Sequence, residues 1–178
     1  LRKICLFPEK FMNELTEFYN SYADLTFLEY QKVNRTAQLS FHTPPVLTRE
    51  LEHTFSPYAR SNPEETLEII DLLWNSEYLE PRQFASTLLG ALPISYYSQV
   101  LERIQKWSVS LVDEDLVSIF HNKATLTIRR ERSDLWIKTL ALWIQSQDPM
   151  QEKMAVMGLL PFLNDPDFSN LPIIYEFL

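Results

Sequence analysis

Proline positions constrain this chain more than any other feature of its sequence. Eleven prolines stand against two glycines. Proline presets φ near the helical value and lacks an N–H, which costs nothing in the first turn of a helix but disrupts its interior. Pro8, Pro44, Pro63, Pro81, Pro93, Pro149 and Pro166 each lie at the edge of a stretch with apolar periodicity. Two glycines are too few for a series of tight hairpins or a phosphate-cradling loop. The chain therefore reads as many short helices.

The clearest unit runs from Asn62 to Leu92, NPEETLEIIDLLWNSEYLEPRQFASTLLGAL. Asn62 suits an N-cap, Pro63 the first helical position, and Glu65 the third residue of a capping box. Leu67, Ile70, Leu73 and Trp74 recur on one helical face. Asn75 and Ser76 break the pattern. Pro81 opens a second helix with Phe84, Ala85, Leu88 and Leu89 on its apolar side, and Gly90 stands where a left-handed terminus is expected. The whole reads as an antiparallel helix pair.

The same grammar recurs on both sides. Residues 8 to 22 form a helix with Phe11, Leu15 and Phe18 inward, and residues 25 to 38 a second. A helix starting at Thr43 and Pro44 buries Val46, Leu47, Leu51 and Phe55, and ends at Pro57. After Pro93, Tyr96 to Val109 is a helix facing inward with Val100, Ile104 and Trp107. Asp113 to His121 is a short helix with acids at its favourable N-terminus. ATLTI, 124 to 128, is strand-like but lacks a partner, so it reads as extended linker or helix start. RSDLWIKTLALWIQSQ places Trp136, Leu140, Trp143 and Ile144 in register. Asp148 and Pro149 begin the next helix, with Gln151 at its capping-box position. Met150, Met154 and Met157, and separately Ala155, Leu159 and Phe162, line it. LPIIYEFL starts a further helix.

Helix, break, proline, helix, at a spacing of about 35 to 45 residues, is the pattern of a HEAT-like solenoid. The expected fold is all-α: one domain over residues 1 to 178, a right-handed superhelix of antiparallel HEAT-like helix pairs of armadillo type. Cys5 is the only cysteine, which excludes an internal disulfide and suits a reducing cytoplasm. No apolar run reaches the roughly 18 residues of a membrane span. LRKICLF, halted by Glu9 and Lys10, is too short for a signal peptide.

Most catalytic signatures are missing. His42, His53 and His121 have no ligand-spaced partner, so no metal and no cofactor are expected, and the histidines are read as satisfied or exposed. There is no GxSxG, and Cys5 has no histidine at hand. Asp113, Glu114 and Asp115 are the densest acidic cluster beside an apolar run. Such a carboxylate can stabilise a developing cation, or simply cap a helix. Arg129, Arg130 and Arg132, with Lys123 before them and Lys138 after, form the one basic cluster. Guanidinium groups beside Trp136 and Trp143 suit phosphate contact and base stacking. Glu131 and Asp134 interrupt the cluster, as on any solvated face, and the tryptophans share a core-type face with Leu140. A net charge of −8 disfavours non-specific polyanion binding without excluding a local basic patch.

LLWNSEYLEPRQFASTLL, the upstream FHTPPVLTREL and the downstream LWIQSQDPMQEKMAVMGLL together resemble the AlkD-like DNA alkylation-repair family of HEAT-repeat proteins. The likeness is collinear from about Ser40 to Leu163. It implies a metal-free, cofactor-free glycosylase ancestry. In that family the lesion is cradled between tryptophans on a basic concave surface, and a carboxylate supports the cationic sugar. By resemblance the carboxylate falls in VSLVDEDLV, on Asp113 or Asp115, and Lys153 stands where the family has an arginine. The chain departs at the cradle. Val109 and its neighbours replace the tryptophan pair, Trp107 is out of register, and Met150 replaces another tryptophan. The remaining cradle tryptophan falls in a repeat beyond Leu178, so the family's last repeats are expected to lie outside this sequence. The resemblance and the basic cluster together lead to an expectation of duplex-DNA binding by Arg129, Arg130, Arg132, Lys153 and Lys123, while excision of alkylated purines is implied by the resemblance alone and left open by the altered cradle. The competing expectation is a non-catalytic scaffold whose concave face holds a protein partner.

Overall fold

The prolines act largely as anticipated. In this computed structural model, which describes residues 7–24, 39–108, 111, 114–165, 168 and 172, helices begin at Pro8, Pro45, Pro63 and Pro149. The order is α1 (Pro8–Tyr22), α2 (Pro45–Ser61), α3 (Pro63–Trp74), α4 (Leu79–Ala91), a 3-10 turn at Ile94–Tyr96, α5 (Tyr97–Ser108), α6 (Glu114–Lys123), α7 (Leu126–Glu131), α8 (Ser133–Ile144) and α9 (Pro149–Leu163). Among the described residues the protein is all-α, and the only extended pairing is a single bridge between Leu39 and Tyr78. No described helix is long and apolar enough to cross a membrane. The helices expected over 25 to 38 and in LPIIYEFL lie outside the described residues.

Several local expectations are corrected. Pro57 lies inside α2 and does not end it. It sits on the exposed side, where a missing N–H leaves its bonding partner to water, and the helix runs on to Ser61. Val46 is half exposed, so the inner face of α2 is Leu51, Phe55 and Ala59. Asn62 caps no N–H with its side chain; its amide donates back to the Tyr58 carbonyl at 3.2 Å. Glu65 forms no capping box and accepts from the Tyr58 hydroxyl at 2.6 Å. Gly90 is a helical residue with negative φ, buried in α4, and makes no left-handed terminus. Of the two readings of ATLTI, extended linker or helix start, the second holds: α7 begins at Leu126.

The chain divides into two compact units, residues 1–93 and 94–178. In the first, α4 is central: every residue from Phe84 to Ala91 is buried, and it packs against α2 and α3. Phe55 meets Phe84 edge-on at 5.7 Å and Phe11 at 5.5 Å. Arg82 lies over the Trp74 ring at 4.5 Å, a cation–π contact between α3 and α4. Glu80, only 5 % exposed, clamps the strand-like stretch before α2. Its carboxylate accepts from the Ser40 hydroxyl at 2.7 Å and from the Phe41 N–H at 3.0 Å. Phe41 is thereby held in a stack, 4.0 Å from Tyr78 and 5.3 Å from Tyr19. The Asp24 N–H donates to the Phe41 carbonyl at 3.1 Å, tying the end of α1 to the same point.

The second unit buries Val100, Ile104 and Trp107 of α5, Leu116, Val117 and Phe120 of α6, and Trp136, Leu140 and Trp143 of α8. All three elements close on the helices around α9, which offers Met154, Ala155, Leu159 and Phe162. At Gly158 the side chains of α8 press close on α9. A methyl group there would stand 2.6 Å from Leu140 Cδ2 and 3.2 Å from Trp136 Cζ2, so at least the Leu140 side chain would have to shift.

Candidate nucleic-acid interface

The acidic and basic candidates both fall in the second unit. α6 begins at Glu114, so Asp115 is its second residue; Asp113 and the Asp115 side chain lie outside the described residues. Lys123 ends α6, half-buried. Arg129 and Arg130 belong to α7, and Arg132 joins α7 to α8. Lys138 on α8 and Lys153 on α9 are exposed. Lys123, Arg130 and Arg132 thus fall on three successive segments, the end of α6, α7 and the α7–α8 junction, and Lys153 lies on the helix that packs against α6 and α8.

Arg129, expected with its neighbours on the surface, is turned inward and only 7 % exposed. Its Nε donates to Thr125 Oγ1 at 3.1 Å, and Nη2 to the Asn122 carbonyl at 3.2 Å. Nη1 approaches Asp165 at 3.8 Å, and the guanidinium lies 5.8 Å from the Phe162 ring. The reason is register. One helical turn separates Thr125 from Arg129, so the two side chains meet on the core side, while Arg130 falls on the opposite, exposed side. Burial lowers the Arg129 pKa, Asp165 opposes that shift, and Arg130 adds to it.

Arg132 is exposed, and its guanidinium donates to both oxygens of Asp134, at 3.0 and 3.1 Å. That hydrogen bond raises the Arg132 pKa and lowers that of Asp134. The pair is a solvated surface bridge, of a kind that contributes little to stability. Trp136 and Trp143 are buried against each other, ring centres 5.7 Å apart and edge-on, as core residues and not as a stacking platform. Met150 is half-buried at the start of α9, and Val109 lies outside the described residues. Among the described residues, no group of three or more His, Cys, Asp or Glu could hold a metal ion.

His121 corrects a second expectation. It is neither exposed nor satisfied: it is 1 % exposed, and neither ring nitrogen has a hydrogen-bond partner. The sequence carries the signal for this, since Val117, Phe120, His121 and Ala124 share one helical face, and all are buried. Burial, with a smaller contribution from Arg129, lowers the His121 pKa to about 4. Because the folded value is below the unfolded 6.5, the unfolded chain binds the extra proton between those values. Stability is therefore full above pH 6.5, falls as pH drops towards 4, and levels off below. The loss from pH 7 to pH 4.5 is expected to be about 2–3 kcal/mol from this group. Urea unfolding at the two pH values should show it, and His121→Leu should flatten the dependence by that amount.

No curated protein and no solved structure matches the chain. The family model of the DNA alkylation repair enzymes matches residues 31–177. The match spans both units and every basic residue considered above, and the chain belongs to the DNA alkylation repair enzyme family.

Proposed function

We propose that this protein binds duplex DNA, as a relative of the alkylation repair enzymes that lacks the aromatic cradle needed to excise a base. The observation that carries this reading is the family match over residues 31–177. The contacts are electrostatic: Arg130, Arg132, Lys123 and Lys153 meet phosphates, with Arg132 exchanging Asp134 for a phosphate oxygen. In this reading the helix pairs stack as a right-handed HEAT-like superhelix, and the cations line its concave side. Asp113 or Asp115 occupies the place of the family's carboxylate. Excision is not part of the proposal, because Val109 and Met150 stand at cradle positions, and loss of a stacked aromatic costs about 1–3 kcal/mol per base.

Because four phosphate contacts release counterions, binding should weaken steeply with salt. Labelled duplex at low salt should be retarded by the wild type. The double substitution Arg130→Ala with Arg132→Ala should lower the slope of log affinity against log salt by about 1.8. Absence of any shift at low salt would sink the reading. The acidic surface of α3, with Glu64, Glu65, Glu68 and Asp71 and no basic residue, favours a second reading, a scaffold for a basic protein partner. Binding of a basic protein that survives Arg130→Ala with Arg132→Ala, with no binding of duplex, would select it.

A further inference from the structure

We propose that Arg129 is a positioning residue, a buried brace that sets α6 against α9 and makes no phosphate contact itself. What it positions rests on the DNA-binding reading above; the brace itself does not. α6 is the helix that begins with Glu114 and Asp115, and α9 is the helix that carries Lys153. The two helices pack directly against each other. Arg129 reaches both. One edge of the guanidinium holds the last turn of α6 through the Asn122 carbonyl at 3.2 Å and Thr125 Oγ1 at 3.1 Å. Thr125 in turn donates to the His121 carbonyl, which locks the turn between α6 and α7. The other edge faces the end of α9, with Asp165 at 3.8 Å and the Phe162 ring below.

The planar, forked head of arginine is what makes the brace. Three partners on three segments lie around one group, and a lysine, with a compact point charge, cannot span them. A phosphate could reach Arg129 only by displacing these contacts and opening a site that is 7 % exposed. Its neighbour Arg130, exposed on the same short helix, is free of that constraint.

The test compares Arg129→Met, Arg129→Lys and Arg130→Ala for duplex-DNA binding across a salt series, with circular dichroism to confirm folding. If Arg129 braces, both Arg129→Met and Arg129→Lys weaken binding by about fivefold or more, with the salt slope unchanged. Arg130→Ala lowers the slope by about 0.9. A slope loss in Arg129→Met equal to that of Arg130→Ala would overturn the proposal, because it would mark a direct contact. So would wild-type affinity in Arg129→Lys, since the retained charge would then suffice. A second measurement does not depend on DNA. Spin labels at Ser118→Cys on α6 and Lys153→Cys on α9, in a Cys5→Ser background, report the distance between the helices; both native side chains are exposed. Arg129→Lys and Arg129→Met should shift or broaden that distance, and an unchanged narrow distribution overturns the brace. If the wild type binds no duplex, the DNA reading fails while the label distance still decides the brace.

Discussion

Trp136→Ala is expected to remove about 3–5 kcal/mol of stability. Trp136 is fully buried and fills the seam between α8 and α9. It packs edge-on against Trp143 at 5.7 Å, and its Nε1–H points at the Gly158 carbonyl at 3.4 Å. Truncation would leave a cavity bounded by Trp143, Leu140 and the backbone of α9. Trp136→Phe keeps a ring and loses the weak hydrogen bond, so its cost should be less than half as large. Urea unfolding followed by far-UV circular dichroism distinguishes the two. A loss below about 1 kcal/mol for alanine would show that the seam collapses freely and that its packing is not rigid.

Glu80→Ala should cost about 3 kcal/mol, in the first unit. The substitution leaves the Ser40 hydroxyl and the Phe41 N–H buried without their shared acceptor. Each orphaned donor costs about 1–3 kcal/mol. Glu80→Gln retains one carbonyl acceptor and turns an amide NH₂ towards the second donor, so about half the loss is expected. Ser40→Ala removes one donor to Glu80 but leaves the His42 N–H, which donates to Ser40 Oγ at 3.0 Å, without its acceptor, so it too should cost about 1–3 kcal/mol. Amide exchange gives the local readout. The Phe41 N–H and the Leu79 N–H, the latter bonded to the Leu39 carbonyl at 2.8 Å, should lose protection together in Glu80→Ala. If Phe41 alone were affected, the clamp would not extend to the Leu39–Tyr78 bridge.

What the sequence made legible is what local physics decides. Proline at a first turn, an apolar residue every third or fourth position, and acids at helix starts do not depend on distant partners. Pro8, Pro63 and Pro149 accordingly begin helices, and Val100, Ile104 and Trp107 face inward as their spacing predicts. Pro57 misled because its position on the exposed side of α2 is a tertiary property. Gly90 misled because a glycine that ends a helix and a glycine inside one look identical in sequence. The candidate site was less legible for the same reason. Whether Arg129 meets solvent or Thr125 depends on where α9 ends and on Asp165, thirty-six positions downstream. Glu80 gave no sign of its task, because its partners Ser40 and Phe41 lie on a stretch with no periodicity of its own. His121 was partly legible, since its helical face was apolar on either side.

The stretch before α2 is held at three consecutive residues. Leu39 accepts from the Leu79 N–H, and Ser40 and Phe41 both donate to Glu80. The Phe41 carbonyl in turn accepts from the Asp24 N–H. With every residue of the stretch tied, no slack is left to absorb a change of length. A single residue inserted between Leu39 and Phe41 would slip Ser40 and Phe41 off Glu80 together.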